Sequence, residues 1–136
     1  MGVESRIDII GGYNAQEWNG YNNLFAERIV SMQLSKMGSD FLDAWDEKSR
    51  PLKDFHVEYY KDDGETVIDG TTKDPYGSYY QVLGIKDALK LVNAERDIIK
   101  SRGERPYRRL EMLYNTLKSF KSGWDNRDIY VVHSCY

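Results

Sequence analysis

The feature that most constrains the fold is a pair of amphipathic helical patterns in the second half of the sequence. In residues 85–103 apolar side chains recur at helical spacing, and Gly103 suits a helix end because glycine readily adopts a left-handed backbone. The second pattern starts near Pro106, whose missing amide hydrogen costs nothing in a first helical turn, and continues to Phe120. Together the two patterns predict a helical hairpin packed on one face of a sheet.

Apolar strands are expected near both ends of the chain. Residues 6–10 are rich in isoleucine and stop at Gly11-Gly12, and β-branched residues pack well in strands whereas paired glycines interrupt them. Residues 129–132 are apolar on both faces of a strand pattern, which is typical of a strand covered on both sides. We therefore expect this last strand at the centre of a sheet, beside residues 6–10.

The middle of the chain has the alternation of an antiparallel meander. Residues 55–60 alternate between two faces, and Asp63-Gly64 supplies the backbone conformations of a tight turn before residues 65–69. A second turn at residues 73–77 precedes a third predicted strand at residues 78–83. These patterns predict three consecutive strands that pair in chain order.

Two helices are predicted before this meander. Asn14 and Glu17 have the spacing of a capping box, and apolar residues then recur at helical spacing through residues 21–37. Ser39 is a favourable N-cap for a second, shorter helix that ends before Pro51, where continuation would be costly.

These elements predict one α+β domain spanning residues 1–136, with an antiparallel sheet and a helical hairpin packed on one face. A chain of this length can stabilise its fold with one hydrophobic core, without a disulfide or a structural metal. No apolar run approaches the ~20 residues that cross a bilayer, and Cys135 has no second cysteine to pair with. We expect an intracellular, cytoplasmic protein without a membrane partner.

Negative charge is concentrated in residues 39–75, which hold eleven acidic and five basic residues, whereas the whole chain has a net charge of -3. An acidic surface attracts a basic partner and accelerates encounter, so we interpret the hairpin as a protein-binding site. Tyrosines are favoured as interface anchors. The predicted partner-binding residues are Asp62, Asp63, Glu65, Asp69, Glu58, Tyr59 and Tyr60. The alternative is that these carboxylates serve turns, solubility and protection of an edge strand.

Positive charge is concentrated between the two predicted helices of the hairpin. The cluster contains Arg102, Arg105, Arg108 and Arg109, with Lys100 just before it. Guanidinium groups bind oxyanions in a bidentate manner, so these residues are a candidate anion-binding site for phosphate or nucleic acid. The alternative is that Lys100 and Arg102 complement a helix dipole and that Arg108 and Arg109 are ordinary exposed positions.

The sequence has no catalytic or cofactor-binding motif. His56, His133 and Cys135 lack the spacing of a zinc site, and two side chains two residues apart on a strand do not form a nucleophile and base. Neither a phosphate-binding loop nor a dinucleotide fingerprint is present. We predict no cofactor and no resident metal, and the abundant carboxylates leave a small metal-dependent hydrolase only as a third hypothesis.

The leading hypothesis is therefore a non-enzymatic protein-binding module whose partner is a basic protein. By functional analogy it fits an acidic inhibitor or accessory protein of a phage or mobile element that engages a basic nucleic-acid-handling protein in the host cytoplasm. Binding of nucleic acid or a phosphate ligand through the arginine cluster is the alternative. The sequence does not indicate an oligomeric state.

Overall fold

One mixed sheet of seven strands organises this computed structural model, which describes residues 5–13, 24–33, 39–61, 63–121 and 128–135. Three α-helices accompany the sheet within these ranges. In chain order the elements are β1 (Ser5–Tyr13), β2 (Leu24–Gln33), α1 (Ser39–Lys48), β3 (Arg50–Pro51), a 3-10 helix (Leu52–Phe55), β4 (Val57–Tyr60), β5 (Val67–Ile68), β6 (Gln81–Gly84), α2 (Ile85–Ser101), α3 (Arg108–Lys121) and β7 (Asp128–Cys135). The α+β class predicted from the sequence is confirmed.

The two terminal strands lie side by side at the middle of the sheet. The strand order is β3-β6-β7-β1-β2-β4-β5, and β1 pairs antiparallel with β7 from Ser5↔Cys135 to Gly12↔Asp128. The predicted neighbourhood of the first and last strands is therefore confirmed. The predicted stop at Gly11-Gly12 is wrong, because both glycines pair with β2 and β7 and the strand continues to Tyr13. The sheet is mixed rather than purely antiparallel, because β2 and β4 run parallel.

The sheet must curl, because a short connection joins strands from its two ends. In a flat sheet, strands about 4.8 Å apart would place β3 and β4 roughly 24 Å from each other, since four strands lie between them. The connection is the 3-10 helix and His56, and at about 2 Å per residue in the helix it spans only about 15 Å. His56 has a left-handed backbone, with φ 52°, which turns the chain into β4.

Two apolar cores lie on opposite sides of this curled sheet, because adjacent residues of a strand point to opposite faces. In β7, Val131 belongs to one core and Val132 to the other. The first core combines residues of all three helices with the sheet, including Trp45, Val92, Leu113 and Ile7. The second core lies inside the curl and consists of Ile10, Ala26, Leu52, Val57, Tyr59, Ile68, Tyr80, Val82 and Val132.

The helical hairpin is present and has the expected connection. Gly103 has φ +76° and donates its amide to the Lys100 carbonyl, and the Glu104 amide donates to the Ile99 carbonyl, so the end of α2 is capped by the backbone. Arg96 makes a bidentate ion pair with Glu111, at 2.6 and 3.3 Å, which joins α2 to α3. Pro106 does not lie in the first turn of the second helix, as the sequence predicted, because α3 begins two residues later at Arg108.

The helix predicted at residues 21–37 is wrong over Leu24–Gln33, which forms β2. The register between β1 and β2 shifts at Ile9/Ile10, so Ile29 is an extra residue on β2, and Ile29, Val30 and Met32 all pack against the helix-side core. Such a bulge breaks the period of two and imitates helical spacing. The predicted cap at Asn14 and Glu17 lies outside the described residues.

The three-stranded meander is also wrong in its last strand. The hairpin of β4 and β5 forms, with Tyr59↔Ile68 and Tyr60↔Val67, and so does the turn at residues 73–77, which holds Gly77 at φ +81°. However, β6 pairs with β7 and β3 on the other side of the sheet. Residues 69–80 therefore connect β5 to β6 across the curled sheet, instead of forming a tight turn between two paired strands.

The structure predicts that Gly70 tolerates no side chain. A Cβ built there would lie 2.5 Å from Lys53 Cβ and 2.6 Å from Lys53 Cα, where the two connecting segments cross. Gly70→Ala should lower the free energy of unfolding by about 1–3 kcal/mol, the usual cost of overpacking. Urea denaturation measures this, with Gly84→Ala as the control, because a Cβ at Gly84 meets nothing closer than 3.8 Å. Equal stability of the two variants would contradict the close crossing.

Candidate functional site

The β4–β5 hairpin separates its side chains into an inner and an outer set. Val57, Tyr59 and Ile68 are buried in the core inside the curl. Tyr60 and Val67 form a cross-strand pair on the outer side, where they are 46% and 39% exposed. We call Glu58, Tyr60, Glu65 and Val67 the hairpin face; Glu58 is half-buried and Glu65 is exposed.

Two of the predicted carboxylates hold turns together. Asp63 accepts hydrogen bonds from the Thr66 hydroxyl, the Thr66 amide and the Glu65 amide, at 2.6, 2.8 and 2.8 Å. These bonds, led by the Thr66 hydroxyl, lower the pKa of the Asp63 carboxyl to about 2. Asp69 accepts bonds from the Thr71 hydroxyl and amide, which lower its pKa as well. Most of the hydrogen-bonding capacity of Asp63 is thus used within the chain, whereas Asp62 lies outside the described residues.

The outer edge of β5 offers little backbone for pairing with another strand. The Lys61 amide donates to the Thr66 carbonyl, so Thr66 faces β4 and Val67 directs its own amide and carbonyl away from the sheet. On either side of Val67 the outward amides are already engaged: the Glu65 amide with Asp63, and the Asp69 amide with the Thr72 hydroxyl. A partner would therefore contact side chains of the hairpin face rather than extend the sheet.

Tyr59 does not belong to the exposed surface, although the sequence suggested it as an anchor. It is 1% exposed, and its hydroxyl donates to Asp8 Oδ2 at 3.0 Å. Burial, reinforced by the Asp8 carboxylate, raises the pKa of the Tyr59 hydroxyl far above its ordinary value. Of the two neighbouring tyrosines only Tyr60 is placed where a partner can reach it.

Asp8 is the centre of a buried polar cluster that the sequence analysis missed. Its Oδ1 accepts the Ser31 hydroxyl at 2.5 Å and lies 3.6 Å from Arg6 Nε. Nearby, burial raises the pKa of Tyr80, whose hydroxyl also interacts with Ser134. The sequence does place one carboxylate, Asp8, among the isoleucines of a predicted strand. A carboxylate is stable in such a buried position only if it is hydrogen-bonded, so this residue could have indicated the cluster.

A second pair joins β7 to α1. Nδ1 of the buried His133 lies 3.0 Å from Asp46 Oδ1, while Nε2 has no hydrogen-bond partner among the described residues. Burial lowers the pKa of His133, and the nearby carboxylates of Asp46 and Asp74 oppose this change. A histidine in an apolar strand indicates a buried imidazole, but its partner on a distant helix leaves no mark in the sequence. His56 is exposed.

The predicted arginine cluster lies in and beside the connection between α2 and α3. Arg102, Arg105 and Arg108 are exposed, whereas Arg109 is half-buried and has a partner. Lys100 is exposed at the end of α2. The structure thus brings the positive charges together at one end of the helical hairpin.

Within the described ranges, no three or more His, Cys, Asp or Glu side chains are grouped so that they could hold a metal ion. No helix in the same ranges is both long and apolar enough to pass through a bilayer.

Comparison with known proteins supplies no relative: the chain matches no protein family, no curated protein and no solved structure. The function proposed below therefore depends on the geometry and charge of this chain alone.

The hydrogen bond between Tyr59 and Asp8 should contribute measurably to stability. Tyr59→Phe removes a hydrogen bond to a charged acceptor in the interior, which costs about 1.5–3 kcal/mol of unfolding free energy. The control is Tyr76→Phe, because Tyr76 is 58% exposed and should lose less than about 0.5 kcal/mol. Urea denaturation of both variants checks this. Indistinguishable losses would show that Tyr59 does not bond Asp8 in the interior.

The buried imidazole should make stability fall with acid. Because the pKa of His133 is lower in the folded chain than its ordinary 6.5, the unfolded chain binds more protons as pH drops below about 6.5. The free energy of unfolding should therefore decrease from pH 7 to pH 5, and His133→Asn should lose less over that interval. The control is His56→Asn, because asparagine tolerates the left-handed backbone of residue 56. A pH dependence that survives in His133→Asn and disappears in His56→Asn contradicts the assignment.

Proposed function

We propose that this chain is a non-enzymatic protein-binding module that binds a basic protein through its hairpin face. The observation that carries the proposal is the exposed cross-strand pair of Tyr60 and Val67, bordered by Glu58 and Glu65. An apolar centre with a charged rim is the common arrangement of protein interfaces. Tyrosine is among the residues that contribute most to binding at such centres.

Hydrogen bonds beneath the hairpin face and at its turn restrain it, which supports its use as a docking surface. Beneath it, Tyr59 bonds Asp8 in the interior, and at its end Asp63 makes three hydrogen bonds within the turn. Fewer side-chain and backbone motions are then lost when a partner binds, so less of the interaction energy is spent on ordering.

The negative charge on and beside the hairpin face favours a basic partner. Glu58 and Glu65 lie on the hairpin face, and the ionised Asp63 is exposed beside them. Carboxylates at a rim increase the rate of encounter with a basic surface, and added salt screens that attraction. Proteins that handle nucleic acid are rich in Lys and Arg, so they are the partner class we propose, with this chain acting in the cytoplasm as an inhibitor or accessory protein of phage or mobile-element type.

Charge reversal on the hairpin face tests the proposal. Glu58→Lys with Glu65→Lys, and separately Tyr60→Ala, should each weaken partner binding at least tenfold, while thermal unfolding shows that the variants fold. The matched control is Asp43→Lys with Glu47→Lys, an equal charge change at exposed positions of α1. Immobilised wild-type chain and variants are incubated with cell extract, and the retained proteins are quantified by mass spectrometry.

The expected result is a basic protein that the wild-type chain and the α1 control retain and that both hairpin-face variants lose. Retention that is the same for all chains, or that is lost equally in the α1 control, would contradict a binding site on the hairpin face.

A further inference from the structure

Three exposed arginines lie at one end of the helical hairpin, in and beside the connection between α2 and α3. Arg102, Arg105 and Arg108 are exposed and make no ion pair with any described residue, although the exposed Glu104 lies between them in sequence. Three other arginines of the described residues are paired with carboxylates: Arg6 with Asp8, Arg50 with Asp54 and Arg96 with Glu111.

The backbone around these arginines adds to their positive charge. At the end of α2, the Gly103 and Glu104 amides bond the carbonyls of Lys100 and Ile99, which reduces the negative charge exposed there. Helix α3 has 14 residues and begins at Arg108, so its partial positive charge lies beside the same guanidinium groups. We call Arg102, Arg105 and Arg108 the basic tip.

We propose that the basic tip binds the phosphodiester backbone of a nucleic acid. The three side chains are separated by three residues each and are all open to solvent, which suits successive phosphates of one strand better than a single enclosed phosphate. Within the connection Pro106 and Tyr107 are half-buried, and the exposed apolar side chains Ile98 and Met112 lie outside it, four residues beyond the basic tip on each helix. A protein partner would favour an apolar anchor among the arginines, whereas nucleic acid backbones are bound by charge.

The basic tip shares no residue with the hairpin face, so each proposal can be tested without the other. A chain with both surfaces would contact a nucleic-acid-handling protein through its carboxylates and the nucleic acid itself through its arginines. The net charge of -3 keeps the expected affinity for nucleic acid modest and dependent on low salt.

The test is fluorescence anisotropy with labelled 20-nucleotide single-stranded and duplex DNA at 50 and 200 mM NaCl. If three phosphates are neutralised, affinity should fall roughly 20- to 40-fold between these salt concentrations. Arg102→Ala with Arg105→Ala leaves one contact, so binding at 50 mM should weaken and the salt effect should shrink to about 3- to 4-fold. Arg105→Ala alone, in the middle of the connection, should give an intermediate salt effect.

The control is Lys86→Ala with Lys90→Ala, which removes the same charge from α2 at exposed positions about 18 Å or more along the helix from Arg102. Its salt dependence should equal that of the wild-type chain. Absence of binding at 50 mM NaCl overturns the proposal, and so does an equal loss in the lysine control. A poly-glutamate of matched charge that competes as well as DNA would overturn the choice of nucleic acid in favour of an acidic protein.

Discussion

The short connection between β3 and β4 is the constraint on which the rest of the structure depends. Because the 3-10 helix and His56 join strands from the two ends of the sheet, the sheet curls and encloses a second core on the side opposite the helices. Because successive residues of β4 point to opposite faces, the face that holds Tyr59 is enclosed by the curl and the face that holds Tyr60 stays outside. The exposed pair of Tyr60 and Val67 is thus a consequence of how the chain closes, and the tight crossing at Gly70 belongs to the same closure.

Inside the curl, Asp8 is a charged group in a costly position, and its partners explain why it is tolerated. The Tyr59 and Ser31 hydroxyls donate to its two oxygens, and Arg6 lies close enough to compensate the charge. A carboxylate held in this way joins β1, β2 and β4 through side chains, in addition to the backbone ladder. Hydrogen bonds of this kind define one arrangement of the strands, and they fix the inner side of the hairpin whose outer side we propose as the docking surface.

Local patterns predicted the strands at both ends, the β4–β5 hairpin, α1 and the helical hairpin, because caps, turns and periodicity act over a few residues. They failed where contacts between distant parts of the chain determine the secondary structure or the strand pairing. The extra residue at Ile29 made a strand resemble a helix, and the position of β6 depends on a segment that crosses between the ends of the sheet. For the sites, the sequence indicated the exposed residues Tyr60, Asp63 and Glu65 and the exposed arginines of the basic tip. It did not indicate that Tyr59 is buried against Asp8, that Asp46 reaches His133, or which arginines make no ion pair with another described residue.

The proposed docking surface requires that the curled sheet separates Tyr59 from Tyr60, and chemical modification measures that separation directly. Nitration of the native chain, followed by mass spectrometry of its peptides, gives a rate for each tyrosine. Tyr60, Tyr76 and Tyr79 are 46%, 58% and 44% exposed and should react readily, while the buried, hydrogen-bonded Tyr59 should react only after the chain is unfolded. Modification of Tyr59 in the native chain as fast as that of Tyr60 would contradict the enclosed core and the hairpin face together.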